Sequence, residues 1–167
     1  MALTMYQASI PVFLRGLLVL AEVLKKGEAH AAAAGLDPAA LLEARLAPDM
    51  LNLIGQVQRA SDTSKLSGQR LSDVPAPPMP DTETTFAELQ RRIADTVTYL
   101  EMIEAAQVDG GEARIIEVRF GPETRTFRGD QYLLGFALPN FYFHVTTAYA
   151  ILRANGVPVG KRDFLGA

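Results

Sequence analysis

A chain of 167 residues with 49% hydrophobic and 21% charged content has the composition of one ordinary soluble domain, long enough to bury a core without staples. The absence of cysteine excludes disulfides, zinc–thiolate centres and thiol nucleophiles within the chain. A net charge of −3, with no basic run interleaved with aromatics, argues against nucleic acid as a partner.

The first stretch, MALTMYQASIPVFLRGLLVLAEVL, lacks a basic leader region, and its apolar part is broken by Arg15, Gly16 and Glu22. It is expected to be neither a signal peptide nor a membrane span, which points to a cytoplasmic protein with no membrane partner. Tyr6, Ile10, Phe13, Leu14, Leu17, Ala21 and Leu24 fall at helical spacing and predict a long helix over 5–33. Pro11 either kinks it or marks its first turn, and Gly35 is its expected C-cap. His30 lies among alanines and a glutamate and reads as a surface histidine. Asp37 and Pro38 then signal the start of a short helix, N-cap followed by first helical position. A second main helix is expected over 49–70, with Met50, Leu53, Val57, Ala60, Ser64 and Leu71 on its buried side. Ser61, Ser64 and Gly68 are small enough to let another helix approach closely.

Four prolines between Pro75 and Pro80 predict a stiff, extended connection, too short of flanking chain to divide two cores. Residues 1–167 are therefore read as a single domain. Thr85 and Glu88 have the spacing of a capping box, and Phe86, Leu89, Ile93, Val97, Leu100 and Ile103 continue a third helix over 83–105. The period then changes: RIIEVRF and TRTF read as two strands around the turn GPET, with Ile116, Val118 and Phe120 on the packed side. Asp130 is the expected cap of a last helix running to about Asn155, with Pro139 inside it as a kink or break. The tail VPVGKRDFLGA carries Val157, Val159, Phe164 and Leu165 and is expected to dock. Its charges Lys161, Arg162 and Asp163 read as surface groups, a dimer brace or a partner-docking segment. The sum is an all-α fold, an antiparallel four-helix bundle with a small β-hairpin before the last helix.

Placed at 100° steps, Leu133, Phe136, Asn140, His144, Thr147, Ile151 and Ala154 share one face of the last helix, apolar at both ends and polar in the middle. The other side carries Phe141, Tyr142, Val145, Tyr149 and Leu152, and an aromatic face of that size calls for cover by the hairpin, the tail or a second copy in a homodimer. His144 has two readings. One is a buried neutral imidazole bonded to Asn140 or a main-chain carbonyl. The other is a ligand or base in a pocket, with Asp49, Asp62 or Asp130 as carboxylates available to complete a site. A metal centre needs three or more ligands, and the chain holds two histidines, so the first is preferred on the residues alone.

The segments FALPNFYFHVTTAYAILRANGVPVGKRDFLG, SIPVFLRGL and RLAPDMLNLIGQVQRASDT together resemble a bacterial family of unknown function, grouped with the DinB/YfiT-like superfamily of metalloenzymes. The resemblance runs from Tyr6 to Gly166. It implies a DinB-like four-helix bundle, often dimeric. In many superfamily members three histidines bind a divalent metal such as zinc or nickel, one from the second helix and two as H-x-x-x-H on the last. Some members perform metal-dependent thiol transfer and others hydrolysis. Aligned on ILRANG, the H-x-x-x-H positions fall on Asn140 and His144, and the second-helix position on Gln56. Two of the three positions thus hold amides, poor ligands for zinc or nickel. The expectation is a polar cluster of Gln56, Asn140 and His144 that binds a small polar ligand or closes on itself, with no cofactor. The alternative is a divergent metal-dependent hydrolase or transferase with His144 as a metal ligand.

Overall fold

A computed structural model describes residues 2–166. Met5–Ser9 form turns, with Ser9 Oγ donating to Met5 O at 2.7 Å, and helix α1 (Ile10–Ala34) begins after them, not at residue 5. Pro11 sits in its first turn, where the missing N–H costs nothing. Gly35 ends it in the left-handed conformation (φ 64°) and returns its N–H to the last carbonyls. Asp37 caps α2 (Pro38–Leu42) by accepting from Ala39 N at 3.0 Å. Helix α3 (Leu53–Ser72) starts four residues later than expected, because Asn52 takes the cap position and accepts from Gly55 N at 2.9 Å.

Residues 75–80 have no regular structure, as their prolines predicted. The capping box of Thr85 and Glu88 opens α4 (Phe86–Glu101). That helix stops short of residue 105, and the chain turns before α5 (Ala105–Val108). Small residues bring α3 and α4 together as anticipated: Ser61 Oγ lies 2.8 Å from Thr96 Oγ1, and a Cβ on Gly68 would stand 2.9 Å from Leu100 Cδ2. Strands β1 (Ile115–Phe120) and β2 (Glu123–Arg128) pair antiparallel, Ile115 opposite Arg128 and Phe120 opposite Glu123. The turn is two residues, Gly121 (φ 59°) and Pro122, shorter than the GPET reading. Ile116 and Val118 are buried, and Phe120 meets Phe136 edge-on at 5.2 Å.

The last helical stretch is three joined pieces: α6 (Gly129–Tyr132), a π-helical turn (Leu133–Ala137) and α7 (Leu138–Ala154). Pro139 explains the joint. It has no N–H to give one turn back, and its ring crowds the preceding carbonyls, so the widened turn just before it absorbs both problems without breaking the axis. Asp130 is not the N-cap. Arg128 holds that position, while Asp130 Oδ1 accepts from Gln131 N. Gly129 is needed where it stands, since a Cβ there would overlap the Gly111 carbonyl at the base of the hairpin.

The chain is mostly helical, and its four long helices close a ring: α1 touches α4 and α7, and α3 touches the same two. A helix in such a ring has two neighbours, so α7 buries two adjacent stripes. Thr147 and Ile151 belong to one. Phe141, Val145, Ala148 and Leu152 form the other, against α1. The side expected to need cover by the hairpin, the tail or a second copy is therefore largely core, packed on α1. Phe141 is 0% exposed, seated edge-on against Phe13 at 5.1 Å, over Gly16. Half-buried Tyr149 meets Phe164 at 5.7 Å. For these residues cover comes from α1 and the tail of the same chain.

The tail docks, as expected. Val157 and Val159 are buried, and α8 (Lys161–Leu165) lies on α1. Asp163 pairs with Lys26 and Arg15 donates to the Leu165 carbonyl, so these charges brace the tail within the chain. His30 is half-buried, with its ring beside Gly156 past the end of α7 and about three turns from His144. Among the described residues no helix is long and apolar enough to cross a membrane.

Candidate functional site

Gln56 lies in the first turn of α3 and is 1% exposed. Its amide Nε2 donates to the Leu51 carbonyl at 3.1 Å, which fixes the orientation of the amide. Its Oε1 must then face His144, whose Nδ1 is 2.8 Å away. An amide oxygen only accepts, so Nδ1 carries the proton and Nε2 is left as a lone-pair acceptor. Among the described residues Nε2 has no hydrogen-bond partner, and no buried side-chain nitrogen is unpaired, so Nε2 is open to solvent. Burial, reinforced by the positive charge of Arg59, pushes the His144 pKa down to about 4. The ring is therefore neutral near pH 7.

Asn140 lies one turn before His144 but does not join this pair. Its Nδ2 donates to Thr63 Oγ1 at 3.0 Å. The structure thus brings Gln56 and His144 into direct contact and sends Asn140 to a different residue of α3. A closed set of all three is not formed. Asp62 reaches the neighbourhood, whereas Asp49 and Asp130 do not line the cleft.

That cleft has a volume of about 290 Å³ and is lined by His144 and Asn140, by Arg59, Asp62, Thr63, Leu66 and Arg70 of α3, and by hairpin and π-turn residues including Phe120 and Phe136. Sequence reasoning missed most of this wall, although a signal was present. Gln56, Arg59, Thr63, Leu66 and Arg70 recur at alternating spacings of three and four, a second stripe of α3 beside its core stripe.

Behind the cleft lies a second cluster that the sequence did not reveal. Arg92 of α4 is 3% exposed and donates to Asp62 at 2.8 Å, Glu83 at 3.0 Å, Ser61 at 3.1 Å and the Pro80 carbonyl at 3.2 Å. Burial works against its charge, but Glu83, Asp62 and Asp81 outweigh it and hold the guanidinium above its ordinary pKa. Burial likewise opposes ionisation of Glu83, and bonds from Gln58 and Arg92 override it, keeping this carboxyl below the usual range. Asp62, the acid of the cleft, is shared by Arg92, Lys65 at 3.3 Å and Arg59 at 3.5 Å.

Residues 5–165 match the family model described as Domain of unknown function (DUF1993). The chain belongs to this family. A crystal structure of a DinB family member protein from Shewanella denitrificans is 43% identical to the DUF1993 chain, over 97% of this chain and 92% of that one, with a TM-score of 0.89. No curated protein matches it. The DinB-like fold raises the matter of a divalent metal, and the residues of this DUF1993 domain do not fit one. Gln56 Oε1 is turned to the imidazole, and Asn140, whose Nδ2 is given to Thr63, offers only an amide oxygen, a poor ligand for zinc or nickel. Among the described residues no group of three or more His, Cys, Asp or Glu stands close enough to hold a metal ion.

The His144 shift makes a pH prediction. Its folded pKa lies below the unfolded value of about 6.5, so below that pH the unfolded chain binds a proton that the folded chain refuses. The stability that neutral His144 permits is present above about pH 6.5 and is lost as the pH falls toward about 4. Denaturant midpoints between pH 7 and pH 4 are expected to fall, and His144→Gln to flatten that slope. An imidazole NMR titration showing protonation near pH 6.5 would contradict the assignment.

Proposed function

We propose that this DUF1993 chain is a DinB-like, antiparallel four-helix bundle of the cytoplasm that binds a small polar molecule at a metal site whose ligands have been replaced. The observation that carries this reading is the open Nε2 of His144. A ring held in one tautomer by Gln56, with its acceptor nitrogen facing a cleft, is arranged to receive a hydrogen bond from a ligand. The Asn140 carbonyl and Thr63 offer further polar groups beside it. The metal-dependent hydrolase or transferase reading would need two more ligands at Gln56 and Asn140; both offer only amide oxygens, poor ligands for zinc or nickel, and that of Gln56 is already bound to the ring.

Two measurements on the untagged protein test the proposal. Metal analysis is expected to find no stoichiometric zinc, nickel or manganese; a full equivalent that disappears in His144→Ala would overturn it. A fragment screen followed through the His144 ring nitrogens by NMR is expected to yield small polar molecules that shift Nε2 and lose at least tenfold in affinity in His144→Phe. A screen in which no fragment shifts that nitrogen would also overturn it.

A further inference from the structure

We infer that the ligand of the His144 cleft is a small organic carboxylate with an apolar or aromatic body and one O–H or N–H donor. This rests on the ligand-binding reading above and names its chemistry. Three guanidinium groups, Arg59, Arg70 and Arg119, line the cleft with a single acid, Asp62. Asp62 is already shared with Arg92 and Lys65, neither of which lines the cleft. Arg59 is also paired with Asp81, which lies outside the lining, so the uncompensated positive charge of the cavity is that of Arg70 and Arg119.

Arg70 has no carboxylate partner among the described residues. Its Nη1 donates to the Tyr132 hydroxyl at 3.0 Å, and its guanidinium lies over that ring, 5.7 Å from the centroid. The Tyr132 hydroxyl is also within 2.9 Å of Ser67 Oγ, so the group that holds Arg70 is itself held. Arg119 likewise forms no ion pair among the described residues. Guanidinium forks match carboxylate oxygens in pairs, and a partly enclosed cleft strengthens the attraction. Leu66, Val118, Phe120 and Phe136 supply the apolar part of the wall, enough for a ring or short chain but not for a highly charged polyanion. The Nε2 acceptor of His144 selects a donor at the other end of the molecule.

The probes are 4-hydroxyphenylacetate, which has all three features, phenylacetate, which lacks the donor, and 4-hydroxyphenylacetamide, which lacks the charge. Calorimetry at low salt with the full chain is expected to rank them in that order. The amide should bind at least tenfold more weakly than 4-hydroxyphenylacetate, and Arg70→Met and Arg119→Ser should each weaken the acid about tenfold while leaving the amide unchanged. Arg119 is exposed, so its variant remains informative if Arg70→Met unfolds. Equal affinity for acid and amide would overturn this inference and leave the ligand-binding reading intact. So would uncharged fragments that shift His144 while 4-hydroxyphenylacetate does not. A His144 nitrogen unmoved by any probe or fragment would overturn both.

Discussion

Replacing Arg92 with alanine is expected to destabilise the fold by about 3–5 kcal/mol, a large share of the stability of a domain this size. The guanidinium is almost wholly out of water and is the common partner of Asp62, Asp81 and Glu83. Removing it leaves Glu83 without its cation beside a void, with Asp62 and Asp81 held only by Lys65 and Arg59. It also frees the Pro80 carbonyl, so the proline-rich connection loses its anchor to α4. Lysine at this position keeps the charge but reaches fewer of these acceptors, so Arg92→Lys should recover only part of the loss. Urea unfolding at pH 7 measures both. Glu83 adds a pH signature: its carboxyl is held below the usual range, so its contribution is present above about pH 4.5 and lost as the pH falls through its lower folded value. An Arg92→Ala protein within 1 kcal/mol of the parent would show that the cluster is solvated and marginal.

The second large effect lies on α7. Phe141→Ala is expected to cost about 3–5 kcal/mol, the range for emptying a fully buried aromatic position. The ring fills a hollow made by Gly16 of α1 and meets Phe13 edge-on at 5.1 Å. Gly16→Ala attacks the same contact from the other side, because a Cβ there would fall within the Phe141 ring. Overpacking of this kind costs about 1–3 kcal/mol. The two positions share one space, so Gly16→Ala combined with Phe141→Leu should be less harmful than the sum of the separate changes. Thermal unfolding of the four proteins closes the cycle. Strict additivity, or a mild Phe141→Ala with a change in oligomeric state, would return Phe141 to an outer face between copies.

The fold was largely readable because its determinants are local. Gly35, Asp37 with Pro38, and Thr85 with Glu88 act within one turn of themselves, and each lies at the boundary its chemistry predicts. Asn52 is equally local, and as the N-cap it sets the start of α3 at Leu53 and not at residue 49. The site was less readable because its determinants are pairwise and distant. His144 and Asn140 stood out by type, but nothing in the chain says that Gln56 turns its oxygen to one and Thr63 takes the other. Arg92 is hidden for the same reason: its partners lie nine to 31 residues away, on α3 and on the connection before α4. On the last helix both apolar sides are legible, but not that α1 covers most of the second, because the order of helices around a ring is not written in any one of them.

Helix α3 carries two records side by side. Leu53, Val57, Ala60, Ser64 and Leu71 are read by the fold, and Gln56, Arg59, Thr63, Leu66 and Arg70 form the neighbouring stripe, the last four lining the cleft. Because the two sets occupy separate angular sectors, most of the second can drift in chemistry while the first stays fixed. The helix then works as a carrier with an interchangeable edge. A chain built on it can change the residues of that edge without having to fold differently.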